Sequence, residues 1–267
     1  MKTVVITGSA RGLGLEMAKC FRYKNFNVVI SDLFRKDLER AKKELLKVKG
    51  TGDIDYFVCD INKENEISNL INRTLKKYKT IDFWINNAGV NQPDKMIWEL
   101  SGEEIGRMID IDLKGTMIAS KLISKVMIKQ NRGSIYNVEG HGSNDAIIPG
   151  LSVYGTAKRG LTYFTKALAK EMECKNVDVM VGRLSPGIMI TDFLVNSFRN
   201  NKMELSDKNK KIYNILGDKP DVVAKYLVNK MIVNTNNNVK INWLTGRKVM
   251  CKFILSIFKR RDFFIEK

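Results

Sequence analysis

Histidine is almost missing from this sequence, and cysteine and proline are scarce. Among 267 residues there is one histidine, His141, with 4 cysteines and 4 prolines. A single histidine excludes a site that needs several imidazole ligands, and the cysteine spacing fits neither a metal nor a redox motif. We therefore expect no metal site, and reduced thiols as in a cytoplasmic protein. The cysteines are Cys20, Cys59, Cys174 and Cys251.

Long apolar runs are also missing. No run approaches the ~18 residues that cross a bilayer, and the N-terminus is too short and too glycine-bounded for a signal peptide. Nothing in the middle has the composition of a linker, and no repeat is present. The sequence predicts one α/β domain over residues 1–246 and a separate extension over 247–267.

Acidic residues are outnumbered, with 29 Asp and Glu against 46 Lys and Arg and a formal net charge of +17. Such a charge can indicate a nucleic-acid or anionic-membrane partner. Because the basic residues are dispersed, most of them fit solvated helix faces, and we expect no nucleic-acid partner. The C-terminal extension is the exception.

The first motif is a strand, a glycine-rich turn and a helix. "TVVIT" is a buried-strand pattern, and "GSARGLG" follows with glycines at 8, 12 and 14. Such a turn lets a pyrophosphate approach backbone N–H groups at a helix N-terminus. Asp32 ends the next strand, where a carboxylate can accept both hydroxyls of an adenosine ribose. The alternative for Asp32 is a helix N-cap.

Strand and helix patterns then alternate along the chain, which predicts a single Rossmann-type, doubly wound parallel sheet with helices on both faces. Ligands in such sheets bind at the carboxyl ends of the strands. The polar or turn residues expected at those ends are Gly8, Asp32, Asp60, Asn87, Glu139 and Pro186.

A proton-transfer pair is the second motif. Tyr154 and Lys158 in "YGTAK" are i and i+4 on a predicted helix and share one face. A nearby cation favours the phenolate and lowers the pKa of a tyrosine. The pair can therefore exchange a proton with a carbinol or carbonyl oxygen.

These motifs together resemble the short-chain dehydrogenase/reductase family. "TGSARGLG", "NNAG" (86–89), "DIDLKG" (110–115), "YGTAK" (154–158) and "SPGIMIT" (185–191) occur in the family's order, with "DVVA" (221–224) as a weaker match. The resemblance implies hydride transfer between NAD or NADP and a carbonyl or secondary alcohol. It implies Tyr154 as acid/base, Lys158 on the nicotinamide ribose, a dimer or tetramer, and a substrate lid over about 188–217.

The resemblance also implies a cofactor site. Its predicted residues are Gly8, Ser9, Arg11, Gly12, Leu13, Gly14, Asp32, Asp60, Ile61, Asn87, Ala88, Gly89, Tyr154, Lys158, Pro186, Gly187 and Thr191. Asp32 favours NAD because it repels a 2′-phosphate. Arg11 could instead meet that phosphate, so NADP stays open.

Two departures from the family pattern affect the catalytic residues. The usual substrate-binding serine is replaced by "NVEGHGS", which leaves Glu139, His141 and Ser143 as candidates; this run resembles the chlorophyll b reductase-like branch. We predict Ser143, since its hydroxyl both donates and accepts. Asp112 stands where the family has asparagine, and it could hold a water or pair with Lys158. A catalytically weakened cofactor-binding regulator is therefore the alternative function.

The C-terminal extension has a helical pattern with an apolar face and a basic face. Its apolar positions are Val249, Met250, Phe253, Ile254, Ile257 and Phe258, and Lys248, Lys252, Ser256 and Lys259 or Arg260 fall on another face. A basic amphipathic helix is typical of peripheral contact with an anionic membrane. The alternative is packing against its own domain or a second subunit. A membrane contact would suit a lipophilic substrate.

Overall fold

The computed structural model describes residues 1–93, 95–191, 207–258 and 261–263. In these residues the chain forms a seven-stranded sheet of order β3-β2-β1-β4-β5-β6-β7, and all neighbouring strands are parallel. The predicted fold is therefore confirmed. The strands are β1 (Thr3–Thr7), β2 (Asn27–Asp32), β3 (Ile54–Val58), β4 (Phe83–Asn86), β5 (Gly133–Val138), β6 (Val179–Ser185) and β7 (Lys240–Asn242).

Helices connect these strands and cover both faces of the sheet. They are α1 (Gly12–Tyr23), α2 (Arg35–Leu46), α3 (Glu64–Tyr78), α4 (Gly102–Ile109), α5 (Thr116–Gln130), α6 (Ser152–Lys175), α7 (Asp207–Leu216), α8 (Pro220–Val233) and α9 (Gly246–Phe258). The sequence pattern over residues 101–130 fits one long helix or a pair of helices. In the structure α4 and α5 are joined by a π-helical segment over Asp110–Gly115.

The core lies on both faces of the sheet because β1 alternates its side chains between them. Val4 and Ile6 join an apolar cluster with helices α1 and α8. Val5 joins the opposite cluster, with α3 and α5. Every residue of β1 is buried, as expected of a central parallel strand. The parallel register then brings the carboxyl ends of the strands to one edge, where the predicted site residues meet.

The C-terminal extension begins with α9, which packs against α7. The predicted lid falls partly on residues 192–206, which lie outside the described residues. No helix in the part of the chain that the structure describes is both long and apolar enough to cross a membrane.

Candidate active site

The glycine-rich turn after β1 is shaped by close packing against the "NNAG" turn after β4. Gly8 has φ +59°, and a Cβ at that position would lie 2.5 Å from the Cα of Ala88. A side chain at position 8 would therefore be strained and would also collide with that backbone. No side chain caps the first turn of α1, which begins at Gly12. Its N–H groups thus fit a pyrophosphate.

Asn87 links the turn after β4 to the glycine-rich turn after β1 by hydrogen bonds. Its Nδ2 donates to the carbonyl oxygens of Thr7, at 3.0 Å, and Gly8, at 2.7 Å. The backbone N–H groups of Asn87 and Ala88 both donate to Thr7 Oγ1 at 3.1 Å. The side chain of Asn87 therefore shapes the cradle from behind, and its two donor hydrogens are used within the protein.

Asp32 lies at the end of β2 beside the same turn. Its Oδ2 accepts the N–H of Ala10 at 3.1 Å, and its Oδ1 accepts the N–H of Leu33 at 2.9 Å. The N-cap of α2 is Phe34 and not Asp32. The carboxylate is thus held at the turn, where it fits an adenosine ribose. Asp60 follows β3, and its Oδ1 accepts the N–H of Asn62 at 3.0 Å.

Besides Lys158, the predicted cofactor residues Ser9, Leu13 and Ile61 have buried side chains. Ser9 donates from Oγ to the Ile6 carbonyl oxygen at 2.6 Å and accepts the Ser31 N–H at 3.1 Å, so this hydroxyl ties β1 to β2. Leu13 and Ile61 are apolar and buried. Any contact of Ser9 with a cofactor would therefore come from its backbone. Arg11 is exposed beside α1, and Pro186, Gly187 and Thr191 follow β6 at the same edge.

Tyr154, Lys158 and Asp112 form a compact group where α6 meets the π-helical segment. The Lys158 Nζ lies 2.8 Å from Asp112 Oδ1, and the two side chains are 8% and 0% exposed. The same Nζ lies 5.4 Å from the centre of the Tyr154 ring. Asp112 Oδ2 accepts the Val90 N–H at 3.3 Å, and Gly89 packs against Oδ1. The predicted pairing of Asp112 with Lys158 is therefore present.

Lys158 and Asp112 shift the pKa of Tyr154 in opposite directions. Burial raises the pKa of Tyr154, Lys158 lowers it and Asp112 raises it, with a raised pKa as the result. Burial alone would lower the pKa of Lys158, but Tyr154 and Asp112 outweigh burial and raise it. Lys158 does favour the phenolate, as predicted, but it does not bring the pKa below that of an ordinary tyrosine. The ammonium stays charged at neutral pH.

Ser143 lies close to the tyrosine hydroxyl through Gly140. Its Oγ accepts the Gly140 N–H at 3.2 Å. A Cβ at position 140 would collide with the Tyr154 hydroxyl oxygen, so only glycine lets the two approach. Ser143 is buried, and its hydroxyl proton has no acceptor among the described residues.

Glu139 has its partners elsewhere, and His141 is exposed. Glu139 Oε1 accepts from Thr162 Oγ1 at 2.9 Å, and its Oε2 lies 3.0 Å from Lys240 Nζ. Arg183 approaches Oε1 to 3.9 Å. These partners lie on α6, β6 and β7, so they hold the Glu139 carboxylate in an internal network. Of the three candidates, Ser143 is the one whose hydroxyl is bonded to Gly140, the glycine that contacts the Tyr154 hydroxyl.

Sequence reasoning missed Gln92. Its Oε1 accepts the backbone N–H groups of Val153, at 3.0 Å, and Tyr154, at 3.1 Å, and the side chain is buried. It therefore caps α6 from a distant loop and fixes the turn that carries the tyrosine. No local pattern points to this role, because the capped helix is remote in sequence.

A second missed feature is a buried amide ladder beneath the site. Asn86 Nδ2 donates to Asn137 Oδ1 at 2.8 Å, and Asn137 Nδ2 donates to Thr165 Oγ1 at 2.8 Å. The ladder joins β4, β5 and α6, so it sets the position of α6 on the sheet. In the sequence, the only sign of this ladder is Asn86, the first asparagine of "NNAG". No cluster of metal-ligating side chains occurs within the described residues.

The sequence also matches known proteins. The family model for short chain dehydrogenase matches residues 2–202. Chlorophyll(ide) b reductase NOL of Oryza sativa subsp. japonica is 35% identical over 261 residues, which cover 95% of this chain and 74% of that protein. A protein named "Probable chlorophyll(ide) b reductase NYC1" from Arabidopsis thaliana is 30% identical over 98% of this chain. The chain spans only 54% of that relative's length.

Solved structures agree on the fold. ElxO with NADP bound has a TM-score of 0.78 and 24% identity, and the match covers 90% of this chain and 96% of that one. At this identity the likeness concerns the fold alone. The family model, the NOL relative and the other reductases among the relatives show more than the fold. The chain belongs to the short-chain dehydrogenase family and is an oxidoreductase that acts on carbonyl or alcohol groups.

Proposed function

We propose that this chain reduces the carbonyl group of a lipophilic substrate, with Tyr154 as proton donor, Ser143 as ligand of the substrate oxygen and Lys158 as the charge that holds the nicotinamide ribose. The observation that carries the proposal is the packing at Gly140. There the Tyr154 hydroxyl contacts a glycine whose N–H is bonded to the Ser143 hydroxyl at 3.2 Å. Both hydroxyl groups thus contact the same glycine, which the Lys158 side chain also approaches.

The division of roles follows from the donors and acceptors. Bound at this edge, the nicotinamide cofactor would supply the hydride. Ser143 accepts from the Gly140 N–H, which leaves its own proton for the carbonyl oxygen. Tyr154 then delivers a proton to the same oxygen. Lys158 keeps its charge beside the ring, and its contact with Asp112 fixes the ammonium in place.

The direction of the reaction is supported by the charges. A raised pKa keeps Tyr154 as a neutral phenol, which is the form that donates a proton. A carbonyl reduction needs this form, whereas alcohol oxidation needs the phenolate. Asp112 strengthens the phenol form because its negative charge opposes that of a phenolate. The family asparagine would lack this effect.

The substrate class is supported by the relatives and by the surface around the site. The similarity to NYC1 covers 98% of this chain, far beyond the end of the family model at residue 202. Both relatives are named for chlorophyll or chlorophyllide, which are large conjugated carbonyl compounds. Trp98, in a short 3-10 helix (Ile97–Glu99) after β4, and Ile147, in the loop after β5, are strongly exposed. Exposed apolar side chains in these segments suit a lipophilic substrate.

The proposal is tested by a screen of carbonyl compounds with NADH and NADPH. The panel includes sterols, bile acids, quinones and tetrapyrrole pigments beside a small water-soluble ketone. Cofactor oxidation that depends on a carbonyl supports reduction. The Asp112–Lys158 contact is also the observation that favours a catalytically weakened regulator. That alternative predicts cofactor binding without turnover on any compound.

Asp32 is proposed to favour NADH over NADPH. Asp32→Ala should raise the ratio of catalytic efficiency with NADPH to that with NADH by about tenfold or more, because a carboxylate beside the ribose repels a 2′-phosphate. Steady-state kinetics with both cofactors measure the ratio, and Asp178→Ala, an exposed carboxylate before β6 at the opposite end of the sheet, is the control. A wild-type protein that already prefers NADPH tenfold would assign the choice to Arg11 instead.

Ser143 is proposed as the residue that binds the substrate oxygen. Ser143→Ala should lower turnover by about tenfold or more, and by more than His141→Ala or Glu139→Gln. Glu139→Gln should mainly lower stability, because Glu139 is bonded to Thr162 and lies against Lys240. Turnover and thermal unfolding of the three variants separate these effects. A loss of turnover led by His141→Ala or Glu139→Gln would reject Ser143.

Assembly and location remain predictions from the sequence. We propose a homodimer or homotetramer in the cytoplasm, with peripheral membrane contact through the C-terminal extension. Sedimentation at several protein concentrations would measure the assembly, and fractionation of cells would measure the location.

A further inference from the structure

Helix α9 is attached to the domain by its polar face. Lys252 Nζ lies 2.7 Å from Asp218 Oδ2, and the two side chains are only 11% and 14% exposed. Lys248 lies over the Trp243 ring in a cation–π contact. Ser256 lies two turns on from Lys248 along this face and is partly buried. Lys248 and Lys252, which the sequence pattern places on the basic face of the helix, therefore face the domain.

The apolar residues of α9 point away from the domain. Within this helix no residue is buried, and the exposed fractions of its large apolar side chains run from 45% to 82%. A surface helix of a globular protein has the opposite orientation, with its apolar face toward the core. Such a patch marks an interaction surface. The exposed apolar residues are Met250, Phe253, Ile254, Leu255, Ile257 and Phe258.

Asp218 holds the helix in this orientation. Besides Lys252 it accepts the Trp243 Nε1–H at 2.8 Å, and Arg261 lies 3.5 Å from Oδ1. A partly buried carboxylate with several cationic and N–H partners keeps its geometry. Rotation of α9 to bury its apolar face would break the Lys252 contact with Asp218 and the Lys248 contact with Trp243. The outward face is therefore a stable feature of the fold.

The same residue connects α9 to the substrate side of the domain. The Asp218 N–H donates to the Ile188 carbonyl, and the Ile190 N–H donates to the Asp218 carbonyl, both at 3.0 Å. Residues 188–190 follow β6 at its carboxyl end, beside Pro186 and Gly187 of the predicted cofactor site. Helix α9 thus stands next to the edge of the sheet at which the candidate active site lies.

The charge of the chain decides between the partners for this face. A second copy carries the same net charge of +17, so two copies repel each other unless the contact is specific and well packed. An anionic lipid surface instead attracts every copy. In the sequence, basic residues flank the apolar stretch, with Arg247 before it and residues 259 and 260 after it. Apolar side chains bracketed by basic residues fit the interface of an anionic bilayer.

We propose that α9 is a docking surface for an anionic lipid bilayer, which covers its apolar face and holds the substrate cleft at the lipid surface. The docking itself is independent of the proposed carbonyl reduction. The placement of the cleft rests on that function and delivers a lipophilic substrate directly from the bilayer. At 13 residues, the helix lies in the interface and does not cross the membrane.

The test is co-sedimentation of the full chain with vesicles of equal parts phosphatidylserine and phosphatidylcholine. We expect binding that weakens as salt rises, and weaker binding to phosphatidylcholine alone. Replacing Phe253, Ile257 and Phe258 together by serine should lower the partition coefficient roughly tenfold or more. The matched control replaces Leu46, Tyr163 and Val233 by serine. These side chains are similarly exposed on other helices, so this variant should bind vesicles as the wild type does.

Thermal unfolding and turnover of a water-soluble ketone show whether each variant is folded, so vesicle binding and carbonyl reduction can fail separately. Point variants are preferable to a chain ending at Thr245, which would remove the Lys252 partner of Asp218. A wild-type chain that ignores anionic vesicles overturns the proposal. If the Phe253, Ile257 and Phe258 variant also turns a dimer into a monomer, a second copy covers the face instead.

Discussion

Tyr154→Phe is expected to lower turnover by ~10²–10⁴ and to leave cofactor binding unchanged. The substitution removes only the hydroxyl that contacts Gly140. The ring remains beside the Lys158 ammonium, which lies 5.4 Å from its centre, so the packing of α6 is preserved. Turnover is measured by oxidation of NADH or NADPH with an active carbonyl, and cofactor affinity by fluorescence titration.

The control for this variant is Tyr163→Phe, on the same helix with an exposed side chain. It should retain wild-type turnover. If Tyr154→Phe stays within about threefold of the wild type, another group supplies the proton. The proposed role of Tyr154 is then wrong, although the family and the fold are unaffected.

The sheet could be predicted because its signals are local. A central strand such as β1 is a short apolar run, and the glycine turn follows it at once. The family of parallel α/β folds then brings every strand end to one edge. Asp32 and Asn87 thus reach the same turn although they lie 55 positions apart in the chain.

The orientation of α9 could not be predicted because its cause is remote. The helical pattern shows an apolar and a basic face, but not which one packs inward. That choice is made by Asp218, which lies 34 residues before Lys252. The partners of Glu139 are equally remote, since Thr162, Arg183 and Lys240 come from three later elements. Side chains that act through distant partners leave no periodic signal.

The candidate active site was predicted only in part, because some of its residues come from elements that are remote in sequence. Tyr154 and Lys158 are neighbours on one helix, so their spacing alone places them together. Asp112 belongs to another element, and its pairing with Lys158 was one of two alternatives. The structure resolves it as a contact of 2.8 Å, and this contact has a measurable consequence for stability.

Lys158→Met is expected to lower the free energy of unfolding by ~3–5 kcal/mol, because it leaves the Asp112 carboxylate buried without its cation. Methionine fills a similar volume, so the loss is electrostatic rather than steric. Of its partners among the described residues, Asp112 then keeps only the Val90 N–H, at 3.3 Å. Urea unfolding monitored by circular dichroism measures the change.

Adding Asp112→Asn to Lys158→Met should restore most of that stability, since neither remaining side chain is charged. Turnover should stay low in both variants, because no cation is left beside Tyr154 or the nicotinamide ribose. This separates the two roles of the lysine: its charge compensates the buried Asp112 carboxylate, and the same charge supports the chemistry. If the double variant is no more stable than Lys158→Met, the loss in Lys158→Met does not come from the uncompensated charge of Asp112. If it regains turnover, Lys158 is not required for proton transfer.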